Sequence, residues 1–393
     1  MIRRTLEPVI YKTLLNCKDI IIIYGARQVG KTSLCLEIQK KYNQDQGDPS
    51  NTAKTSRYFN CEEQLVQEAF SSNSLSKLLD LIGDYSLVIL DEAQTIPDIG
   101  WRLKLIADYN VTSSKPIQII ATGSSSFELA NKINEPLTGR AEVFEMFPLS
   151  LNELRQNLSG AELKHRLDEI LIFGTYPSIF GHSLETKNKE MQKVFENYLY
   201  KDILTYETIK KSTLLRDLLR LLAVQIGKEI SLNSLAQKLN VSIATIGRYL
   251  DLLQQTFIIF TLRTLNTNGT KEITKGFKVY FYDLGVRNYL INNFNPLELR
   301  ADFGEMWENF IVAEKVKQNS YTKHQEFGFN QYFWKSYTRA EVDFVEEKGG
   351  SYIAYEIKYS PKKNPKLPIE FAKQYPSHEF KVINPENFLE SFK

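Results

Sequence analysis

Residues 18–39 read KDIIIIYGARQVGKTSLCLEIQ, and this stretch decides the fold. Four consecutive isoleucines at 20–23 are β-branched and apolar toward both faces. Such a run suits a central strand of a parallel sheet covered by helices on both sides. A glycine-rich turn follows. Leu34, Cys35 and Ile38 then recur at three- and four-residue spacing, which predicts a helix. Gly25-Ala26-Arg27-Gln28-Val29-Gly30-Lys31-Thr32 fits GxxxxGK(S/T) in full, between a strand and a helix. Glycines let backbone N–H groups curl around phosphate oxygens, and the following helix aims its positive end at the anion. Lys31 is expected to neutralise the β- and γ-phosphates of a nucleotide. The Thr32 hydroxyl would complete a Mg²⁺ shell, with Ser33 beside it at the helix start. ATP and Mg²⁺ are therefore the expected cofactors.

Working outward, residues 86–90 (SLVIL) predict a strand that ends in Asp91-Glu92, and residues 117–121 (IQIIA) another that ends in Thr122-Gly123-Ser124. Asp91 is placed to hold the metal and Glu92 to polarise the attacking water. Thr122 and Ser124 would stand near the γ-phosphate. Residues 57–60 (RYFN) and 141–147 (AEVFEMF) are further strands, residues 62–82 an amphipathic helical region, and residues 43–57 a polar surface loop. Strands alternating with helices predict a parallel α/β sheet.

The rest of the chain bounds the function classes. It has 393 residues, enough for two or three domains. A formal charge of +2 excludes a strongly basic, histone-like chain. No stretch approaches the ~20 apolar residues of a membrane helix, and the N-terminus lacks a secretory apolar core. Three cysteines, Cys17, Cys35 and Cys61, make no disulfide framework and no metal spacing. They are expected to be small core residues, and the expected compartment is the cytoplasm. After Pro148 the pattern is helical to about residue 225. Residues 231–262 then read SLNSLAQKLNVSIATIGRYLDLLQQTFIIFTL: a short helix, a turn at Asn240-Val241, a second helix capped by Ser242, and an apolar strand. Ile246, Tyr249, Leu250 and Leu253 line one face of the second helix. This is the pattern of a winged helix-turn-helix. With Arg248 as its only basic residue, that helix either contacts DNA or packs and senses nucleotide state.

GARQVGKTSL (25–34), LVILDEAQ (87–94), IIATGSSSFEL (119–129), LTGRAEVFEMFPLSLNEL (137–154), FGTYPSIF (173–180) and YLYKDI (198–203) resemble the prokaryotic AAA+-type ATPases that carry a helical middle region and a C-terminal restriction-endonuclease-like domain. The resemblance spans nearly the whole chain. It implies an additional-strand P-loop core with a glutamate switch. It also implies a role for Arg140, just before the fifth strand, on the chain's own nucleotide or on a neighbour's; only the second needs an oligomer. Ala26 departs from the family, where proline is common.

The C-terminal part contains GEMWENFIVAEKV (304–316) and RAEVDFVEEKGGSYIAYEIKYS (339–360). Asp343 on one strand and Glu356-Ile357-Lys358 on another resemble the PD-(D/E)xK nuclease core. Glu356 and Lys358 project to one face of their strand. In that reading Asp343 and Glu356 hold Mg²⁺ and Lys358 orients the water or stabilises developing charge. Glu308 is the family's match for an added helix-borne ligand, with Glu314 as the other helix carboxylate. Lys362, Lys363 and Lys366 could touch a phosphate backbone. The expected layout is a P-loop ATPase core at 1–150, a helical region at 151–225, a winged helix-turn-helix at 226–268 and a nuclease-like α/β domain at 269–393. The expected activity is Mg-dependent ATP hydrolysis coupled to binding or cleavage of DNA or RNA. The alternative is a nucleotide-switched signalling or scaffold ATPase whose nuclease-like domain binds a partner protein and cuts nothing.

Overall fold

The computed structural model describes residues 2–46, 55–124, 137–196, 212–266, 276–324, 328–362 and 365–392. Two compact units part between Phe147 and Pro148.

The first unit is built on five parallel strands: β1 (Ile20–Gly25), β2 (Ser56–Asn60), β3 (Leu87–Asp91), β4 (Gln118–Gly123) and β5 (Ala141–Met146). Their order is β2-β3-β4-β1-β5, so β4 is inserted between β1 and β3. The run of isoleucines is buried throughout, as a strand covered on both faces requires. The end strands β2 and β5 are only partly covered. The helices are α1 (Leu6–Asn16), α2 (Lys31–Gln46), α3 (Gln64–Ala69), α4 (Leu75–Ile82) and α5 (Ile99–Thr112). The single helical region expected at 62–82 is two helices, because Ser71, Ser72, Asn73 and Ser74 interrupt it with residues that favour turns and caps. Cys35 and Cys61 are buried as expected, and Cys17 is half-buried.

The second unit begins with short helices α6 (Leu151–Arg155), α7 (Gly160–His165), α8 (Leu167–Phe173), α9 (Leu184–Glu196) and α10 (Ser212–Val224). Capping boxes at Ser150/Glu153 and Ser159/Glu162 start α6 and α7. Gly174 ends α8 at φ +78°, and a Cβ there would lie 2.0 Å from an Asp283 carboxylate oxygen, so only glycine fits. YLYKDI lies outside the described residues.

Next come β6 (Glu229–Ile230), α11 (Leu232–Leu239), α12 (Ile243–Gln255), β7 (Ile259–Thr264), β8 (Phe277–Phe281), α13 (Leu284–Leu290) and α14 (Phe303–Thr322). The chain closes with β9 (Asn330–Lys335), β10 (Glu341–Lys348), β11 (Ser351–Ile357), α15 (Ile369–Gln374) and β12 (His378–Ile383). Asn240 in the left-handed region separates α11 from α12, and Ser242 caps α12 through the Thr245 N–H. Ile246, Tyr249, Leu250 and Leu253 are buried, as the spacing predicts.

The strands form one sheet, β12-β11-β10-β9-β7-β8-β6. It runs across the boundary expected at 268/269, because β7 pairs in parallel with β9 through Arg263↔Tyr332 and Thr264↔Phe333. The apolar strand β7 is thus flanked by β8 on one side and β9 on the other. Beneath the sheet α14 is buried along most of its length, with Trp307, Phe310, Phe344 and Phe388 in one core. Among the described residues no helix is long and apolar enough to cross a membrane.

Candidate functional site

In the first unit the C-terminal ends of β1, β3 and β4 bring the expected nucleotide residues to one edge of the sheet. Gly25 pairs with Met146, and a Cβ on Gly25 would lie 2.2 Å from the Met146 carbonyl oxygen. Gly30 has φ +99°, a conformation that other residues rarely adopt. Ala26 and Val29 are buried, Arg27 and Gly30 half-buried, and Gln28 exposed. Lys31 is 4% exposed, and its Nζ donates to Gly25 O at 2.9 Å and Ala26 O at 3.0 Å. Burial lowers its pKa, while Glu92 and Asp91 work to raise it. Arg27 reaches Glu62 at 4.0 Å on the surface, and Ser33 is half-buried at the start of α2.

Asp91 is the hub. Its Oδ2 accepts from the Thr32 hydroxyl at 2.7 Å and from the Tyr58 hydroxyl at 2.7 Å. Its Oδ1 accepts from the Thr122 hydroxyl, whose oxygen also accepts from the Glu92 N–H at 3.0 Å. Glu92 has φ +55°, and the Gln94 amide donates to its Oε2 at 2.6 Å and to the Ser124 hydroxyl at 3.2 Å. Thr32, Asp91, Glu92, Thr122 and Ser124 therefore converge. A buried ammonium, a loop with Gly25 closed to side chains and Gly30 at positive φ, and a hard-oxygen pair at Thr32 and Asp91 fit a magnesium nucleotide.

Three participants escape sequence reasoning. Tyr58 and Gln94 hold Asp91 and Glu92, and no spacing rule marks either. Buried Arg4 donates to Val29 O and, at 2.6 Å, to Phe147 O, tying the loop to the chain beyond β5. Arg4→Met should leave two buried carbonyls without that partner and lower stability by about 1–3 kcal/mol. A weaker apparent affinity for ATP should accompany it, measured by nucleotide titration.

Arg140 lies elsewhere. Its carbonyl accepts from the Ile20 N–H, and Ala141 pairs with Ile20, at the opposite end of β1 from Gly25. Five residues of strand separate the two ends by about 16 Å. Its Nε donates to Asp108 at 2.7 Å. A reach to the chain's own nucleotide does not hold, since the side chain starts at the wrong edge of the sheet.

In the second unit Asp343, Glu356 and Lys358 do come together. Lys358 Nζ lies 3.0 Å from Asp343 Oδ2 and 2.6 Å from Glu356 Oε1, and the Ile357 N–H donates to Asp343 Oδ2 at 2.8 Å. Burial works against the Lys358 ammonium, but Asp343 and Glu356 outweigh it and hold its pKa above the usual lysine value. Burial, then Asp343, pushes Glu356 up. Glu308 from α14 is pushed up by burial and by Asp343, against the pull of Lys278. Glu308 has partners of its own: its Oε1 accepts from the Tyr280 hydroxyl at 2.7 Å and faces Lys278 Nζ at 3.1 Å. Glu314 pairs with Lys317 at 2.8 Å deep in the core.

Among the described residues no three His, Cys, Asp or Glu side chains are disposed to hold a metal ion. The expected ligand set Glu308, Asp343 and Glu356 thus does not fit one, because lysines stand against all three carboxylates. The first unit needs no such trio, since phosphate oxygens complete a nucleotide-bound Mg²⁺ shell. Lys362 and Lys366 are exposed, and Lys363 lies outside the described residues.

Comparison with known proteins agrees with the geometry of the first unit. Residues 18–155 match a family described as AAA domain. Residues 164–297 and 303–391 match two families described as domains of unknown function, DUF8612 and DUF4143. An uncharacterized Mycobacterium tuberculosis protein is 26% identical over 346 residues, covering 88% of this chain and 71% of its own. A Haemophilus influenzae protein, also uncharacterized, is 22% identical over 364 residues, covering 89% and 86%. Among solved structures, RuvB variants from Thermotoga maritima align at TM-score 0.31 and 15% identity, covering 68% of this chain and 93% of theirs. AMPPCP-bound DnaA from Aquifex aeolicus aligns at TM-score 0.29 and 14% identity, covering 63% and 86%. The first unit is thus similar to the AAA domain over residues 18–155, and its sheet is parallel α/β with β4 inserted between β1 and β3.

Proposed function

We propose that this chain binds Mg-ATP and hydrolyses it at the edge formed by β1, β3 and β4. The convergence of Lys31, Thr32, Asp91, Thr122 and Glu92 on one strand edge carries the reading. The glycine loop and the N-terminus of α2 cradle the phosphates, and Lys31 neutralises them. Thr32 and Asp91 would hold a magnesium ion, whose charge would offset that of the transferred phosphoryl group. Glu92, set by Gln94 and by the Thr122 hydroxyl on its N–H, takes the proton of the attacking water. Glu92→Gln separates these roles. ATP should still bind, with hydrolysis down by about 10²–10⁴-fold, the usual weight of a general base. Hydrolysis unchanged in this variant would remove Glu92 from the mechanism. Arg140 remains available only to a neighbouring copy's nucleotide.

For the second unit we favour nucleotide-switched binding over cleavage. We read β6, α11, α12, β7 and β8 as a winged helix that packs within the larger sheet, and the strands beyond as its nuclease-like continuation. Cleavage would need Asp343 and Glu356 to share a metal ion, whereas both already share Lys358. Incubation of labelled single- and double-stranded DNA and RNA with Mg²⁺ or Mn²⁺, with and without ATP, tests this. Cleavage that disappears in Lys358→Ala would overturn it.

A further inference from the structure

We infer that Lys278 is a resident counter-cation that stands where a divalent metal would, leaving the carboxylate cluster of the second unit complete without metal. The inference rests on the reading that this unit binds without cleaving, and extends it to a named residue.

The cluster draws Glu308 from α14, Glu341 and Asp343 from β10 and Glu356 from β11. Facing these four carboxylates are two ammonium groups, Lys278 from β8 and Lys358 just past β11. A lysine is almost never fully buried unless it is paired. Lys278 is 2% exposed, and its Nζ sits 3.1 Å from Glu308 Oε1, 2.6 Å from Glu341 Oε1 and 5.4 Å from the centre of the Phe333 ring. It lies in FKVYF, as the single charge of an apolar strand.

Geometry commits one oxygen of Glu308 to protein partners. Its Oε1 takes both the Tyr280 hydroxyl and the Lys278 ammonium. Gly227 roofs the same oxygen: a Cβ there would lie 3.1 Å from it. Magnesium needs near-octahedral oxygens at about 2.0–2.1 Å. It would have to displace an ammonium whose stem is enclosed, or sit beside it against like-charge repulsion. Asp343 is committed in the same way, its Oδ2 taken by Lys358 and by the Ile357 N–H. The ExK pattern is thus present, but fixed cations fill it.

The test counts Mn²⁺ by electron paramagnetic resonance on the full chain without nucleotide. An Asp91→Asn background removes the carboxylate of the first unit. The protein with native Lys278 is expected to retain no Mn²⁺, and its thermal midpoint should be the same in chelator and in Mn²⁺. Adding Lys278→Met should create a site for Mn²⁺ that Glu308→Gln abolishes again. Mn²⁺ retained with native Lys278 and lost on Glu356→Gln overturns the inference, whether or not nucleic acid is cut. Absence of Mn²⁺ from both proteins overturns Lys278 as the cause. Should Lys278→Met fail to fold, Lys278→Gln takes its place in the same count. Cleavage without bound metal would instead defeat the non-cleaving reading while leaving this inference standing.

Discussion

Lys31→Ala is expected to abolish ATP hydrolysis, with a fall of at least about 10²–10³-fold, the loss typical of a preorganised group that stabilises transition-state charge. The ammonium is held inside the loop by the carbonyls of Gly25 and Ala26, which aims it before any phosphate arrives. No other lysine is described as bonded to the loop carbonyls, and Arg27 is turned toward Glu62 on the surface. Lys31→Met distinguishes charge from packing, because it keeps the stem. Burial lowers the pKa of Lys31, so the folded state holds the charged form at a cost to stability. For a lysine lowered in this way the unfolded chain binds more protons, and stability rises with pH between the folded and unfolded values. Removing the charge at neutral pH should therefore leave the thermal midpoint unchanged or raised. Hydrolysis within tenfold of the native rate in either variant would sink the assignment. A large fall in midpoint would make Lys31 a structural residue first.

The contrast between Lys31 and Lys278 shows what the sequence makes legible. GARQVGKT is contiguous, so eight residues that act together are neighbours in the chain. Asp91, Glu92, Thr122 and Ser124 each follow an apolar run, and strand ends are readable from such runs. Arg4, Tyr58 and Lys278 act through partners supplied by other segments, as Gln94 does in reaching Ser124, and no local pattern encodes those meetings. Lys278 reads as an ordinary strand charge until β8, β10 and α14 are placed together. In the second unit β7, β10 and β11 are legible as strands, but β6, β8, β9 and β12 and the pairing of all seven are not. Arg263 meets Tyr332 far along the chain, and that parallel pairing, with the pairing of β8 against β6 and β7, fuses the two expected domains into one sheet. FGTYPSIF owes its glycine to the approach of Asp283.

The same Asp283 sets up the largest expected loss of stability. Lys317 and Glu314 are side chains only 2% and 3% exposed, paired at 2.8 Å, and the Leu151 N–H donates to the other Glu314 oxygen at 2.6 Å. Asp283 is fully enclosed nearby and accepts from the N–H groups of Thr175, Gly285 and Val286. Burial raises its pKa, opposed by the Thr175 N–H and by Lys317. Lys317→Met nearly conserves volume but removes the ammonium from two buried carboxylates. Breaking a buried pair from one side costs about 3–5 kcal/mol. The pH dependence identifies the cause. A carboxyl raised in the folded state releases its proton later than the unfolded chain does, so the stability it contributes is present at low pH and is lost as pH rises through its folded value. Without Lys317 that value rises further and the losing window widens. The urea-unfolding deficit should be larger at high pH than at low pH, because the proton that Asp283 takes up as pH falls neutralises it. An equal deficit at both pH values would mean that the stem of Lys317, and not its charge, holds α14 against Asp283.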